Sequence, residues 1–451
     1  MSTVVIDGAH VVTGDGAEYE SGHIVAADGV ITAAAPGPAP AHAGARVVDG
    51  RGLLATPGLV NTHHHLYQWA TQGMFADSTL FEWLTGSYEL WSRLDASVVA
   101  DTTTAGLAWL ALSGCTTASD HHYVFPAGGG DIAAAEVEAA RAVGVRLDLA
   151  RGSMDRGRSA GGLPPDSVVE TLEGALAATE AAVDAHHDPA FGAMTRVAVA
   201  PCSPFTVSRE LMTGAAELAR AKGVRLHTHL AETLDEQEQC LAEFGTTPVG
   251  YAEKLGWLGE DVWLAHAVHL SDDAVARIAA TGTGVAHCPS SNARLGAGIC
   301  RSADLLQAGA SVGLGVDGPA SSELTGLAAE MRQALLMARA RGGPRALTAR
   351  QALHMATLGG ARCLGRAAEL GSIEVGKLAD IALWRVDGFG RDAIDDPVVA
   401  LVFGPPAPPE HLLVGGAPVV QGGALRTVSA ESAAAAGRRA HRRITTEVER
   451  P

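Results

Sequence analysis

Lysine is almost absent from this chain: Lys222, Lys254 and Lys377 are the whole complement in 451 residues. Arginine clusters only near the end, at Arg438-Arg439 and Arg442-Arg443, and the formal charge is −17. A chain so poor in grouped cations offers no groove to a phosphate backbone, which excludes nucleic acid as a partner. Cysteine is scarce and scattered. Cys115, Cys202, Cys240, Cys288, Cys300 and Cys363 include no CxxC pair, which excludes a disulfide framework and an all-cysteine zinc site. No apolar run reaches the ~18 residues of a membrane span, and the N-terminus lacks a basic stretch followed by a long apolar one. The expectation is a soluble cytoplasmic protein with no membrane partner.

What is present points to a globular protein. Apolar residues make up 47% and charged residues 18%, the balance of a packed protein. The length exceeds a typical single core, so one large domain of about 300 residues plus a smaller module is expected. Residues 1–57 read as short strands and turns, with a hairpin turning at Asp28-Gly29. The same texture returns in Ala379–Trp384 and in 412–427, followed by an Ala/Arg-rich helical tail near 430–445. These segments predict a small β-sandwich domain built from both chain ends, residues 1–57 plus 372–451, with the C-terminal helix included. Residues 58–371 form the inserted domain.

In that middle region short apolar runs alternate with Ala/Leu/Glu-rich helical stretches, the pattern of a parallel sheet. The expected strands are Leu54–Val60, Gly114–Ala118, Val145–Ala150, Arg196–Ala200, Val224–Leu226, Asp261–Ala265, Gly284–Ala286 and Val312–Val316. The residues just beyond them include His63, Asp120, Arg151, Ser203, His229, His266, His287 and Asp317. Eight strands, each delivering a polar group, predict an α/β fold closed as a TIM-like (β/α)8 barrel, whose catalytic groups sit at the C-terminal ends of the strands.

Five polar groups, His63, His65, His229, His266 and Asp317, can be assembled into one site. His63 and His65 are two apart and share one face of an extended strand; alone, such a pair serves equally well as structural histidines. His229 adds a third nitrogen and Asp317 an anionic oxygen. Three nitrogens, one oxygen and an open position suit one catalytic Zn2+, or Fe2+.

These residues resemble the amidohydrolase superfamily. The resemblance spans nearly the whole chain, through Pro57-Gly58-Leu59-Val60-Asn61-Thr62-His63-His64-His65, His229-Leu230-Ala231-Glu232, Gly315-Val316-Asp317-Gly318 and the late Gly371–Asp380 segment. It implies the deaminase and triazine hydrolase branch, with a single metal held by His63, His65, His229 and Asp317. Binuclear relatives commonly bridge two metals with a modified Lys after strand 4. Here that strand runs on into Pro201-Cys202-Ser203, with no Lys near. The resemblance also implies catalytic roles for Glu232, His266 and Asp317. Asp317 and His266 orient water and take its proton, and Glu232 protonates a ring nitrogen of the substrate. The other reading of Glu232 is a helix-start carboxylate favoured by the helix dipole.

Segments such as Ser119-Asp120-His121-His122-Tyr123 and Gly161–Ser167 are similar to the 8-oxoguanine deaminase-like group. The implied substrate is 8-oxoguanine or a related aminated heterocycle, acted on with water and with release of ammonia. An s-triazine chloro- or alkylaminohydrolase and an isoxanthopterin-like pterin deaminase are the alternatives. A metal-free scaffold of the same fold is the reading outside enzymes, and the full ligand set argues against it. Relatives also add the expectation of a homo-oligomer.

Substrate contacts are less defined. The segment 66–95 holds Tyr67, Trp69, Phe75, Phe81, Trp83, Tyr88 and Trp91, out of 7 Trp, 5 Tyr and 8 Phe in the chain. It reads either as a wall over a flat ligand or as a helix packed on the barrel. Gln68 suits a lactam edge or a buried loop amide. Trp69 and Trp83 suit stacking or packing. His122 and Arg151 are expected at strand ends facing the mouth, with a structural carboxylate the other partner for Arg151.

Overall fold

The computed structural model of the chain describes residues 3–324 and 326–446. Eight parallel strands close into a barrel: β1 (Leu59–Asn61), β2 (Cys115–His122), β3 (Arg146–Ser153), β4 (Thr195–Pro201), β5 (Leu226–Leu230), β6 (Val262–His266), β7 (Gly284–His287) and β8 (Val312–Leu314). Closure is made where Leu314 of β8 pairs with Asn61 of β1. Helices follow the strands and bury their apolar faces on the outside of the barrel. Leu147, Leu149, Val197, Val199, Leu264 and Val285 belong to that outer core. Small residues fill the interior, where Ala150, Ala198, Ala200 and Ala286 pack around Trp263. The two sets alternate along each strand, as the pleat requires.

A second, nine-stranded sheet is built from both chain ends. It joins Thr3–Val12 and Leu54–Pro57 to Ile381–Trp384, and through that strand to His411–Val414. Ile6, Ile24 and Ile31 from one end share a core with Ile381, Leu383 and Leu413 from the other. The hairpin turns at Asp28 and Gly29, both with positive φ (48° and 84°), the geometry of a primed turn.

Three expectations change. The run Leu54–Val60 is two strands, not one. Leu54–Pro57 belongs to the second sheet and the chain enters the barrel only at Leu59. Gly58 is the joint, and a Cβ there would lie 2.3 Å from Thr116 Cγ2. Strands β2 and β3 run on to His122 and Ser153, beyond the expected Ala118 and Ala150. Finally, the terminal helix Ala430–Thr445 packs on the barrel helix Ala96–Leu112. Arg443 pairs with Asp95 at 2.6 Å, and His441 Nδ1 donates to the Ala70 carbonyl at 2.8 Å.

The late Gly371–Asp380 segment ties sheet to barrel. Asp380 accepts from Arg146, at the start of β3, at 2.8 and 3.0 Å, and from the Gly415 amide at 2.7 Å. Among the described residues no helix is long and apolar enough to cross a membrane.

Candidate metal centre

Five polar groups converge at the C-terminal mouth of the barrel. His64 bridges Asp317 in parallel fashion, so the chain stays extended past β1 and His63 and His65 turn to the same side. His229 lies within β5, His266 ends β6, and Asp317 follows β8. His65 Nε2 is 3.1 Å from His229 Nε2 and 3.2 Å from Asp317 Oδ1, and His63 Nε2 is 3.4 Å from the same oxygen. A tetrahedral zinc shell with bonds of about 2.0–2.2 Å sets its ligand atoms about 3.3–3.5 Å apart, so the spacing fits that ion.

The backing hydrogen bonds decide which atoms face inward. His65 Nδ1 donates to the His121 carbonyl at 2.6 Å and His229 Nδ1 to the Cys202 carbonyl at 2.7 Å. A neutral imidazole has one N–H, so both Nε2 atoms carry lone pairs, and these lone pairs face each other. His63 Nε2 is buried with no hydrogen-bond partner. Asp317 Oδ2 accepts from Ser291 Oγ at 2.6 Å and Ser321 Oγ at 3.2 Å, which leaves Oδ1 to the site. Four acceptors meeting with no donor between them are what a cation requires.

Electrostatics run the same way. Burial pushes the His63 imidazole down to about 3 and holds His229 well below the usual histidine range. Burial alone would raise Asp317, but His63, His65 and His266 outweigh it and hold its carboxyl well below the usual range. His121 joins His63, His65 and His229 within 4.8 Å. It stacks on His229 (4.7 Å between centroids) and donates Nε2–H to the Ala200 carbonyl at 2.8 Å. It lies on the interior face of β2, a placement its sequence motif did not reveal.

Glu232 stands beside His266, with 3.7 Å between Oε2 and Nε2. His266 Nδ1 donates to Asn292 Oδ1 at 2.9 Å. The amides of Ala231 and Glu232 both donate to the Glu236 carboxylate at 2.8 Å, which clamps the loop leaving β5. Burial raises Glu232 above the usual carboxylate range, partly offset by His266. His266 is raised despite its burial because Glu232 and Asp317 favour its charged form. Ala231, His266, Ala267 and Asp317 all have positive φ, between 46° and 71°. Such residues cost about 1–3 kcal/mol each and persist only where surrounding structure over-determines them.

A model of the amidohydrolase family matches residues 54–416. The chain belongs to the amidohydrolase family. It is 42% identical to the 8-oxoguanine deaminase of Pseudomonas aeruginosa over 417 residues, covering 92% of this chain and 93% of that one. It is 37% identical to an isoxanthopterin deaminase from an unknown prokaryotic organism, over 80% of this chain and 79% of that one. Its fold matches the crystal structure of atrazine chlorohydrolase TrzN from Arthrobacter aurescens TC1 complexed with zinc, with TM-score 0.92, 32% identity and coverage of 97% and 100%. This amidohydrolase is therefore a hydrolase of C–N bonds, and its chemistry is the hydrolytic deamination of a heterocycle.

In the amidohydrolase a cavity lies over the converging groups. His65, His229, Glu232, His266 and Asp317 form its floor and one side. Gln68 lines it, with its Oε1 buried and unpartnered. Gly318 makes room for that amide, since a Cβ there would lie 1.7 Å from Oε1. Trp83 also lines the cavity and is anchored by Nε1–H donation to the Ala320 carbonyl at 3.2 Å. The aromatic segment is both wall and core. Trp83 and Tyr88 meet the cavity, while Trp91 packs behind them and against Tyr67.

Three expected substrate contacts lie elsewhere. Trp69 faces the terminal helix, where a Cβ at Gly437 would lie 2.5 Å from its Nε1. His122 and Arg151 sit within strands, not after them, and the pleat turns both to the outside. His122 Nε2 donates to the Val124 carbonyl at 3.0 Å, and its Nδ1 lies 3.3 Å from Glu136 on the flanking helix Ile132–Val143. Arg151 is bidentate to Glu170 at 2.7 and 2.9 Å and stacks over Phe125. The cavity instead uses Tyr123, Cys202, Phe205 and Leu295. Tyr123 follows His122 directly, and Cys202 and Phe205 follow β4. Position after a strand was therefore the available signal.

Proposed function

We propose that this amidohydrolase deaminates a free N-heterocyclic base, 8-oxoguanine or a close purine relative, using one zinc ion. His63, His65 and His229 through Nε2, and Asp317 through Oδ1, would hold the metal. When bound, the metal supplies an acidified water, its pKa brought towards about 7. A single ion is favoured because Cys202, not Lys, follows β4.

The observation that carries the reading is Glu232 beside His266 on the wall of the cavity that holds the ligand set. Asp317 and His266 orient the attacking water and take up its proton. Glu232 gives its proton to the ring nitrogen next to the carbon under attack, so little charge develops on the ring. Burial keeps Glu232 protonated more readily than an exposed carboxyl, which suits it to that first transfer. The proton taken from water then leaves with the amine as ammonia, and the hydroxyl proton returns to Glu232 as the carbonyl forms. Ser291 and Ser321 fix Asp317, and Asn292 fixes His266, so neither base has to search for its position.

The cavity supports a free base. Among the described residues no Arg or Lys lines it to answer a phosphate or carboxylate, and its carboxylates, Glu232 and Asp317, are committed to chemistry. The Gln68 amide meets a lactam edge, and Trp83 and Tyr88 flank the ring. The test is ammonia release from 8-oxoguanine, guanine, isocytosine, isoxanthopterin, cytosine, aminotriazines and guanosine. The reading expects kcat/KM highest for an oxopurine and negligible for guanosine. Preference for a triazine or a nucleoside would overturn the substrate assignment.

A further inference from the structure

The three imidazoles of the ligand set are braced in two different ways. His65 and His229 each direct Nδ1–H to a backbone carbonyl. His63 does not. Its Nδ1 lies 2.8 Å from Nε2 of another histidine, His227, whose Nδ1 lies 2.9 Å from the Trp263 carbonyl.

The protons in this chain run in one direction. A carbonyl only accepts, so His227 Nδ1 carries the hydrogen and donates it to Trp263. A neutral imidazole has one N–H, so His227 Nε2 is left as an acceptor. His63 Nδ1 must then be the donor, and His63 Nε2, which faces Asp317 Oδ1 at 3.4 Å, must carry the lone pair. The brace is itself held. His227 is fully buried and stacks on the Trp263 indole at 4.4 Å and 17°. That indole donates Nε1–H at 3.0 Å to the carbonyl of Thr62, the residue before His63. Strands β1, β5 and β6 are thus locked together through one ring.

We propose that His227 is a positioning residue for the metal, which sets the tautomer and orientation of His63 by accepting its Nδ1–H. This rests on His63 being a ligand, as argued under Proposed function. Without the acceptor, either a buried N–H is left unpaired or the His63 proton moves to Nε2, where it opposes the cation. An imidazole nitrogen is also a stronger acceptor than a peptide oxygen, so His63 becomes the more electron-rich ligand.

Two variants separate the tautomer role from packing. His227→Phe keeps a flat ring against Trp263 and removes the acceptor. His227→Gln places an amide oxygen near the lost Nε2. The measurements are the zinc dissociation constant by chelator competition, the visible spectrum of the cobalt-substituted protein and the thermal midpoint of the metal-free protein. His227→Phe should bind zinc about 10–100-fold more weakly, with an altered cobalt spectrum and a metal-free midpoint lowered by the unpaired His63 N–H and Trp263 carbonyl. His227→Gln should recover most of the affinity. Parent-like affinity in His227→Phe, or equal loss in both variants, overturns the proposal. A zinc-bound crystal structure of the parent tests it without any variant. Coordination through His63 Nε2 with Nδ1 on His227 is expected, and coordination through Nδ1, or a ring turned away from His227, overturns it. A parent that binds no metal would overturn the ligand set as well, so the two failures are distinguishable.

Discussion

Replacing Glu232 by Gln keeps the side-chain volume and removes its proton. The loop cannot follow the change, because the Ala231 and Glu232 amides stay clamped on Glu236 at 2.8 Å. Gln can still meet His266, which Glu232 approaches to 3.7 Å, so binding should be nearly intact while proton delivery is lost. General acid catalysis by one positioned group contributes about 10²–10⁴-fold, or about 3–5 kcal/mol of barrier. The loss should fall on kcat with KM close to the parent's, since the interaction is made as the ring nitrogen gains its proton. Stability should move the other way. Burial raises the Glu232 pKa, so the folded state disfavours its ionised form, and the neutral amide removes that penalty above the unfolded-state pKa. The thermal midpoint of E232Q at pH 8 should equal or exceed the parent's. Steady-state ammonia release and elemental zinc, measured on the same preparations, check this. Activity within about tenfold of the parent at equal zinc content would refute the proton-transfer role.

Two further outcomes follow from the same geometry. Glu136 is fully buried beside His122 and pushed up to about 8 by that burial, so the folded state holds a proton there that the unfolded chain releases near 4.5. Its contribution is favourable below pH 4.5 and is lost as pH rises towards 8, so E136Q should unfold at a higher temperature than the parent at pH 8 and lose that advantage near pH 5; thermal midpoints at the two pH values check the sign. Trp83→Ala should raise KM severalfold, because Trp83 lines the cavity, whereas Trp69→Ala should leave KM unchanged, because Trp69 faces the terminal helix; steady-state kinetics on one substrate separates them.

Much of the site was legible because each group closes a short apolar run: His63 and His65 after Leu59–Asn61, His229 and His266 at the ends of β5 and β6, Asp317 after β8. Their residue types suit metal ligation, and the barrel supplies the convergence. What was not legible turned on where strands stop. Strands β2 and β3 continue past Ala118 and Ala150, and the pleat then sends His122 and Arg151 outward to Glu136 and Glu170. Gly58 joins two strands of different sheets, at a place where a Cβ would meet Thr116. Nothing in Leu226-His227-Thr228-His229-Leu230 marks His227 as a brace, because its link to His63 spans 164 positions. The cavity wall of Tyr123, Cys202 and Phe205 is assembled from loops whose neighbours only the folded barrel reveals.

The central claim is one metal, held by His63, His65, His229 and Asp317, serving a deaminase. Titrating zinc into the chelator-treated protein while following ammonia release from 8-oxoguanine tests it most directly. The account predicts activity that is absent without metal and rises linearly to a single break at about one equivalent per chain. A break at two equivalents, or turnover that does not depend on added metal, would contradict it.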